Sequence, residues 1–280
     1  MRAWIPPLLL SLLAVSATDG TAQHRPIRAQ DPVPVESGHV RVEAGIEWLR
    51  DRSFPLTGLE GELWRIPTVG FSIGFGRAEL QIDGGFQALA IASRDPTAPF
   101  ADQVDVDGET AWDQLDPVVA VKVLLRHEGA VEPAVGVRLA TRLPSADTSN
   151  GIGTDAMEFD VSLLAAKSLG NARVGASVGL GVLAVPQTGN RQNDVLTYGA
   201  FMEAPLGGRW TAVAGADGRV DLKADTPPGT EDLGQARLGV RRDGRIRWDA
   251  ALIVGLADVE PDVGLTVGGT IEFDAFENTR

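Results

Sequence analysis

Charged residues stand at even spacings along several stretches of this chain: Glu79 and Asp83; Lys122 and Arg126; Glu132, Arg138 and Arg142; Asp217, Arg219 and Asp221; Arg237 and Arg241; Arg247 and Asp249. Asp160 and Arg173 sit in two more stretches of the same kind. Even spacing puts such side chains on one face of an extended strand. With both signs interspersed, they can pair across neighbouring strands and shape the field felt by a passing solute. Catalysis has a thinner basis. The histidines are His24, His39 and His127, so a Ser-His-acid or His-ligated metal site would rest on a single imidazole at a turn. Asp105-Val-Asp107-Gly108-Glu109 offers oxygen ligands but lacks the later bidentate Glu of a calcium-hand loop. Gly151-Ile-Gly153 does not lead from a strand into a helix, so it is no dinucleotide site. The reading is a non-enzyme with no catalytic residue, metal or cofactor.

The elements that must position these charges are strands. Val119, Val121, Val123 and Leu125 share one parity, and Lys122 and Arg126 the other; Val135, Val137 and Leu139 oppose Glu132, Arg138 and Arg142. Runs of this length and period predict twelve strands near 40–50, 62–76, 77–93, 115–127, 130–143, 157–169, 171–184, 194–205, 209–222, 232–242, 245–257 and 262–276. Even-to-odd junctions are tight, at 76–77, 128–129, 170–171, 206–208 and 243–244. Odd-to-even junctions are looser: 51–61, 94–114, 144–156, 185–193, 223–231 and 258–261. Such sorting fits an up-and-down antiparallel transmembrane β-barrel with short periplasmic turns, longer outer loops and both termini in the periplasm. Strand glycines such as Gly175, Gly179 and Gly268 ease curvature and leave room in a lumen.

The first 22 residues read as a cleaved signal peptide, with Arg2, an apolar stretch from Ile5 to Val15 and small residues to Ala22. Residues 23–39, with Pro26, Pro32, Pro34 and several charges, read as a mobile periplasmic lead-in without a core of its own. Residues 40–276 are the barrel. The chain has no cysteine and a net charge of −13, which disfavours a nucleic-acid partner. Outer-membrane lipid and a small solute are the expected partners, in a Gram-negative-type outer membrane; monomer and trimer are equally compatible. Trp48, Trp64, Trp210 and Trp248 could furnish part of an aromatic girdle.

The stretch Arg142-Leu-Pro-Ser-Ala-Asp-Thr-Ser-Asn-Gly-Ile-Gly-Thr-Asp155, followed by Phe159-Asp-Val-Ser-Leu-Leu-Ala-Ala-Lys-Ser-Leu-Gly170, resembles the outer-membrane transporters of the MetA-pathway-of-phenol-degradation family. Gly76-Arg77-Ala78-Glu79-Leu80, Asp116-Pro-Val-Val-Ala-Val-Lys122 and the closing run from Pro261 to Phe273 fit the same family in order. The resemblance implies a barrel that passes hydrophobic or aromatic compounds, and no catalytic residues. The expected function is passive passage of small, possibly hydrophobic or aromatic molecules through a lumen lined by the charges named above, gated by the 94–114 or 144–156 loop. The alternatives are a plugged structural barrel and a soluble exported β-sandwich that binds ligand at its loops.

Overall fold

The computed structural model describes residues 25–188, 191–223 and 225–276. The signal-peptide segment lies outside the described residues. Twelve strands follow one another: β1 (His39–Phe54), β2 (Leu59–Phe75), β3 (Ala78–Arg94), β4 (Thr110–Arg126), β5 (Ala134–Arg142), β6 (Glu158–Leu169), β7 (Ala172–Ala184), β8 (Gln192–Gly207), β9 (Trp210–Asp221), β10 (Leu233–Arg242), β11 (Arg247–Gly255) and β12 (Val263–Asp274). Each pairs antiparallel with its sequence neighbour, and β1 pairs with β12 from His39↔Asp274 to Arg50↔Val263, which closes the barrel. Closure removes the open edges that the sandwich reading would need.

The alternation is the reason for the fold. On β11, Ala251 and Ile253 are buried while Leu252 and Val254 are exposed; on β6, Leu164 and Ala166 are buried while Phe159, Val161 and Leu163 are exposed. The same outward parity exposes Phe71, Ile82, Val121, Leu139, Val178, Leu238 and Val267 around the wall. At roughly 25 cal/mol per Å² of apolar surface, a belt of this extent is unfavourable in water, and it far exceeds the patches that soluble monomers show. It is the lipid-facing band of a membrane barrel. Trp210 and Trp248 are exposed near one end of the barrel, both opposite Arg242 on β10, and Trp48 and Trp64 lie 6.4 Å apart near the other.

The connections sort less strictly than the sequence suggests. β1 and β2 run on past Trp48 and Trp64, with Arg52, Ser53 and Phe54 pairing to Gly61, Glu60 and Leu59, so only 55–58 joins them. The β4–β5 connection is instead 127–133, the ladder passing through a register shift between Leu124 and Arg126 and stopping at Arg126↔Val135. The other connections follow the expected order, and both His39 and Asp274 lie at the end that carries the 76–77, 170–171 and 208–209 turns. That end is called the turn end below, and the opposite one the loop end.

One bulge switches the inward parity part-way along a strand. On β2, Leu59, Leu63 and Arg65 face inward on odd numbers; register slips between Arg65 and Thr68, and Thr68, Ser72 and Gly74 then face inward on even numbers. Pro67, which has no N–H for the ladder, sits in that slip.

Candidate functional site in the barrel lumen

The lumen is occupied by the chain's own N-terminal segment. Residues 25–38 enter at the turn end and make nearly a full circuit of the inner wall. Gly38 donates its N–H to the Gly74 carbonyl at 3.0 Å, and its carbonyl accepts the N–H groups of Ala275 and Phe276. The Val35 N–H donates to Glu79 Oε2 at 2.7 Å, and Pro32 lies against Gly136 on β5. Asp31 then takes a fork of hydrogen bonds from Arg173 on β7. Ala29 rests on Gly199 of β8, and Ile27 on Gly215 of β9 with Phe201 and Val213 beside it. Arg25 lies over Gly45 and Gly268, donating to Thr68 Oγ1 at 3.0 Å and Thr266 Oγ1 at 2.8 Å, with Asp249 at 3.5 Å.

This differs from the mobile lead-in that the prolines and charges predicted. Ile27, Ala29 and Val35 are buried, so the segment has a packed apolar side after all. Space for it comes from glycine: a Cβ at Gly215 or Gly268 would occupy the volume now held by Ile27 or Arg25. The residues that hold the segment belong to the wall and not to its own neighbourhood in sequence.

Below and around the segment, the lumen charges are paired. Lys122 and Glu79, both fully buried, meet at 3.1 Å, and Gln81 donates to Glu79 at 2.7 Å. Arg247 and Arg41 share Glu272 at 3.0 Å each, and Arg241 forks onto Glu203. Asp249 receives Arg25, and Arg173 bridges Asp31 and Glu128. Arg126 and Glu132 do not join these groups: Arg126 ends β4 exposed, and Glu132 lies exposed in the 127–133 connection.

Towards the loop end a cavity of about 580 Å³ opens above the segment. Arg25, Pro26, Ile27 and Arg28 form its floor, and the loops at 55–57, 151–154 and 259–260 reach its upper wall. It adjoins a second cavity of about 320 Å³ between β5–β6 and β8–β10. Asp83 and Arg237 border the first, Asp160 and Asp217 the second, and Arg138, Arg142 and Arg219 border both. The central acceptor is Glu47, which takes Arg65 at 2.6 Å, Arg237 at 2.8 Å and Arg28 at 3.2 Å. Glu158 is shared by Arg142 and Arg219 at 3.2 Å each, and Arg52 pairs with Glu260.

Sequence reasoning passed over Glu47, Glu43, Arg65 and Glu158. The parity signal was present on β1, where Arg41, Glu43, Glu47 and Leu49 alternate with Val42, Ile46 and Trp48. The β1–β3 side of the upper lumen is apolar: Leu49, Leu59, Leu63, Leu89 and Ile253 pack together, and Ile152 from the 143–157 loop inserts among them. Gln87 donates to the Ile152 carbonyl at 3.0 Å and Thr57 to the Gly151 carbonyl at 2.6 Å, which fastens that loop over the lumen.

No family model and no curated protein matches this sequence. Among solved structures, an outer-membrane channel from Pseudomonas putida F1 superposes with a TM-score of 0.62 at 11% identity, covering 87% of this chain and 98% of that one. The fold is an outer-membrane barrel's fold. The NanC porin (TM-score 0.49, 9% identity, 83% and 98% covered) and LpxR from Salmonella typhimurium (0.47, 12%, 83% and 99%) match less closely.

At the turn end, Glu128 lies outside the strands and titrates far from its ordinary range. Partial burial raises its pKa, but the Ser168 N–H at 2.9 Å, Arg173, Lys167 and the Ser168 hydroxyl outweigh that and hold the carboxyl at about 2. A depressed carboxyl pKa contributes stability above the unfolded value of 4.5 and loses it as pH falls towards 2. Because the group lies at the rim with about a quarter of its side chain exposed, solvent screening keeps the effect under about 1 kcal/mol. Glu128→Gln should therefore be slightly less stable than wild type at pH 7, with the difference closing between pH 4.5 and 2. Urea midpoints across that range check it; a difference that does not change with pH would remove this assignment.

Proposed function

We propose that this protein sits in the outer membrane of a Gram-negative-type bacterium, with both termini of the barrel in the periplasm, and passes small solutes through its lumen. The observation that carries the reading is the charge-lined cavity of about 580 Å³ inside a closed wall whose outer face is apolar. Solutes enter from the loop end, and the 25–38 segment is the constriction they meet. Twelve strands lie between the roughly eight that side chains fill and the roughly sixteen of an open porin, which suits a narrow path. The motif resemblance to phenol-degradation transporters supports aromatic compounds as solutes.

Purified protein in liposomes should let small neutral sugars through while retaining larger ones, read by swelling rate. Liposomes that swell no faster than protein-free controls would overturn passage in the resting state. The plugged-barrel reading has its own support in the ion pairs that hold Asp31 and Arg25. It expects no swelling with the full chain.

A further inference from the structure

The two cavities meet at a neck bordered by four arginines, Arg28, Arg138, Arg142 and Arg219. Three of them lean on carboxylates that are already shared. Arg142 and Arg219 divide Glu158 between them, and Arg28 competes with Arg65 and Arg237 for Glu47. Glu260, the other carboxylate on both cavities, is taken by Arg52 and Gln235. Asp160 accepts from the hydroxyls of Ser162 and Thr197, and Asp217 lines only the smaller cavity.

Arg138 is different. Its Nε donates to Gln81 Oε1 at 2.9 Å, which fixes the plane of the guanidinium, and among the described residues no carboxylate lies within ion-pairing distance of it, Asp83, Asp160 and Glu79 acting on its charge from farther off. It is alone in this among the described arginines directed into the barrel. Its outer N–H pair is thus a preset fork of the kind that takes a carboxylate in two parallel bonds. Val118 and Leu233, like Arg138, border both cavities, and Leu115, Leu56 and Ile152 line the larger one.

We infer that the neck is a binding site for a small organic carboxylate with an apolar body, its carboxylate on Arg138 and its hydrocarbon part against Val118 and Leu233. The combined space falls in the range of ligand pockets. This deepens the transport reading and rests on it: the site would select which solutes linger on the path. A bare hydrophobic compound would leave the outer N–H pair of Arg138 without a carboxylate in contact, whereas a carboxylate ligand supplies one.

The test is calorimetric titration of the full chain in detergent with sodium benzoate, with benzyl alcohol as the uncharged comparator and acetate as the carboxylate without a ring. Benzoate should bind at least about tenfold more tightly than either, the size of one charge-assisted hydrogen-bond contribution. Arg138→Gln should lower benzoate affinity by about tenfold or more and leave benzyl alcohol unchanged. Arg142→Gln, four residues further along the same strand at the neck, provides a second variant, and heat-modified gel migration confirms that each is folded. Equal binding of benzoate and benzyl alcohol, acetate as tight as benzoate, no benzoate binding, or unchanged benzoate affinity in the folded variants would each overturn the site. Arg138-dependent benzoate binding in a protein that swells no liposomes would uphold the site and overturn transport alone; swelling without benzoate binding would do the reverse.

Discussion

A chain lacking residues 25–38 should conduct several-fold more current in a planar bilayer than the full chain, with longer-lived open events. The segment lies across the inner faces of β2, β3, β5, β7, β8, β9 and β12, and it forms the floor of the larger cavity. Its removal joins that cavity to the turn end. The cost in stability should be moderate. Burial of Ile27 and Val35 is lost, at about 1.5–3 kcal/mol for each large apolar side chain, but water fills the vacated lumen and solvates Arg173, Glu79 and Asp249, so these are not stranded in a dry interior. Equal single-channel conductance with and without the segment would show that it does not obstruct the path.

Glu47→Ala should destabilise the barrel by about 3–5 kcal/mol, the range for removing one partner from a buried charge group. Glu47 is 3% exposed and serves three guanidinium groups at once, from the segment (Arg28), from β2 (Arg65) and from β10 (Arg237). Without it three like charges face one another in a confined space. Arg237 retains the Pro26 carbonyl and Gln235, but no carboxylate. Glu47→Gln keeps an acceptor oxygen and should fall between wild type and Glu47→Ala. Guanidinium unfolding in lipid vesicles, followed by tryptophan fluorescence, measures both; a wild-type midpoint for Glu47→Ala would show that water already screens the group.

The strands were legible because their signal is local. Val119, Val121, Val123 and Leu125 against Lys122 state the orientation of β4 within a few residues, and the same holds for β5, β6 and β11. Strand ends were less so: β1 and β2 continue past their tryptophans through bulged pairs, and a register shift takes Arg126 out of the inward series. The lumen's filling was not legible at all. Pro26, Pro32 and Pro34 deny residues 25–38 a ladder of their own, which in sequence looks like disorder. Several of the partners that order them, Arg173, Gly215, Thr266 and Gly268, lie more than a hundred residues away. Only the unusual supply of strand glycines pointed to something needing space inside.

The clasp of Gly38 on both Gly74 and the residues after β12, with Arg25 spanning Glu43, Thr68, Asp249 and Thr266, bears on the order of synthesis. The first described residues are held by the last described strand, β12. Until Asp274 has been made, β1 has no partner on one side and Arg25 lacks half its acceptors. Contacts of such separation close slowly. The seam and its internal rivet must therefore form together, late, and a chain arrested before β12 would expose a bare β1 edge and a loose arginine at the same moment.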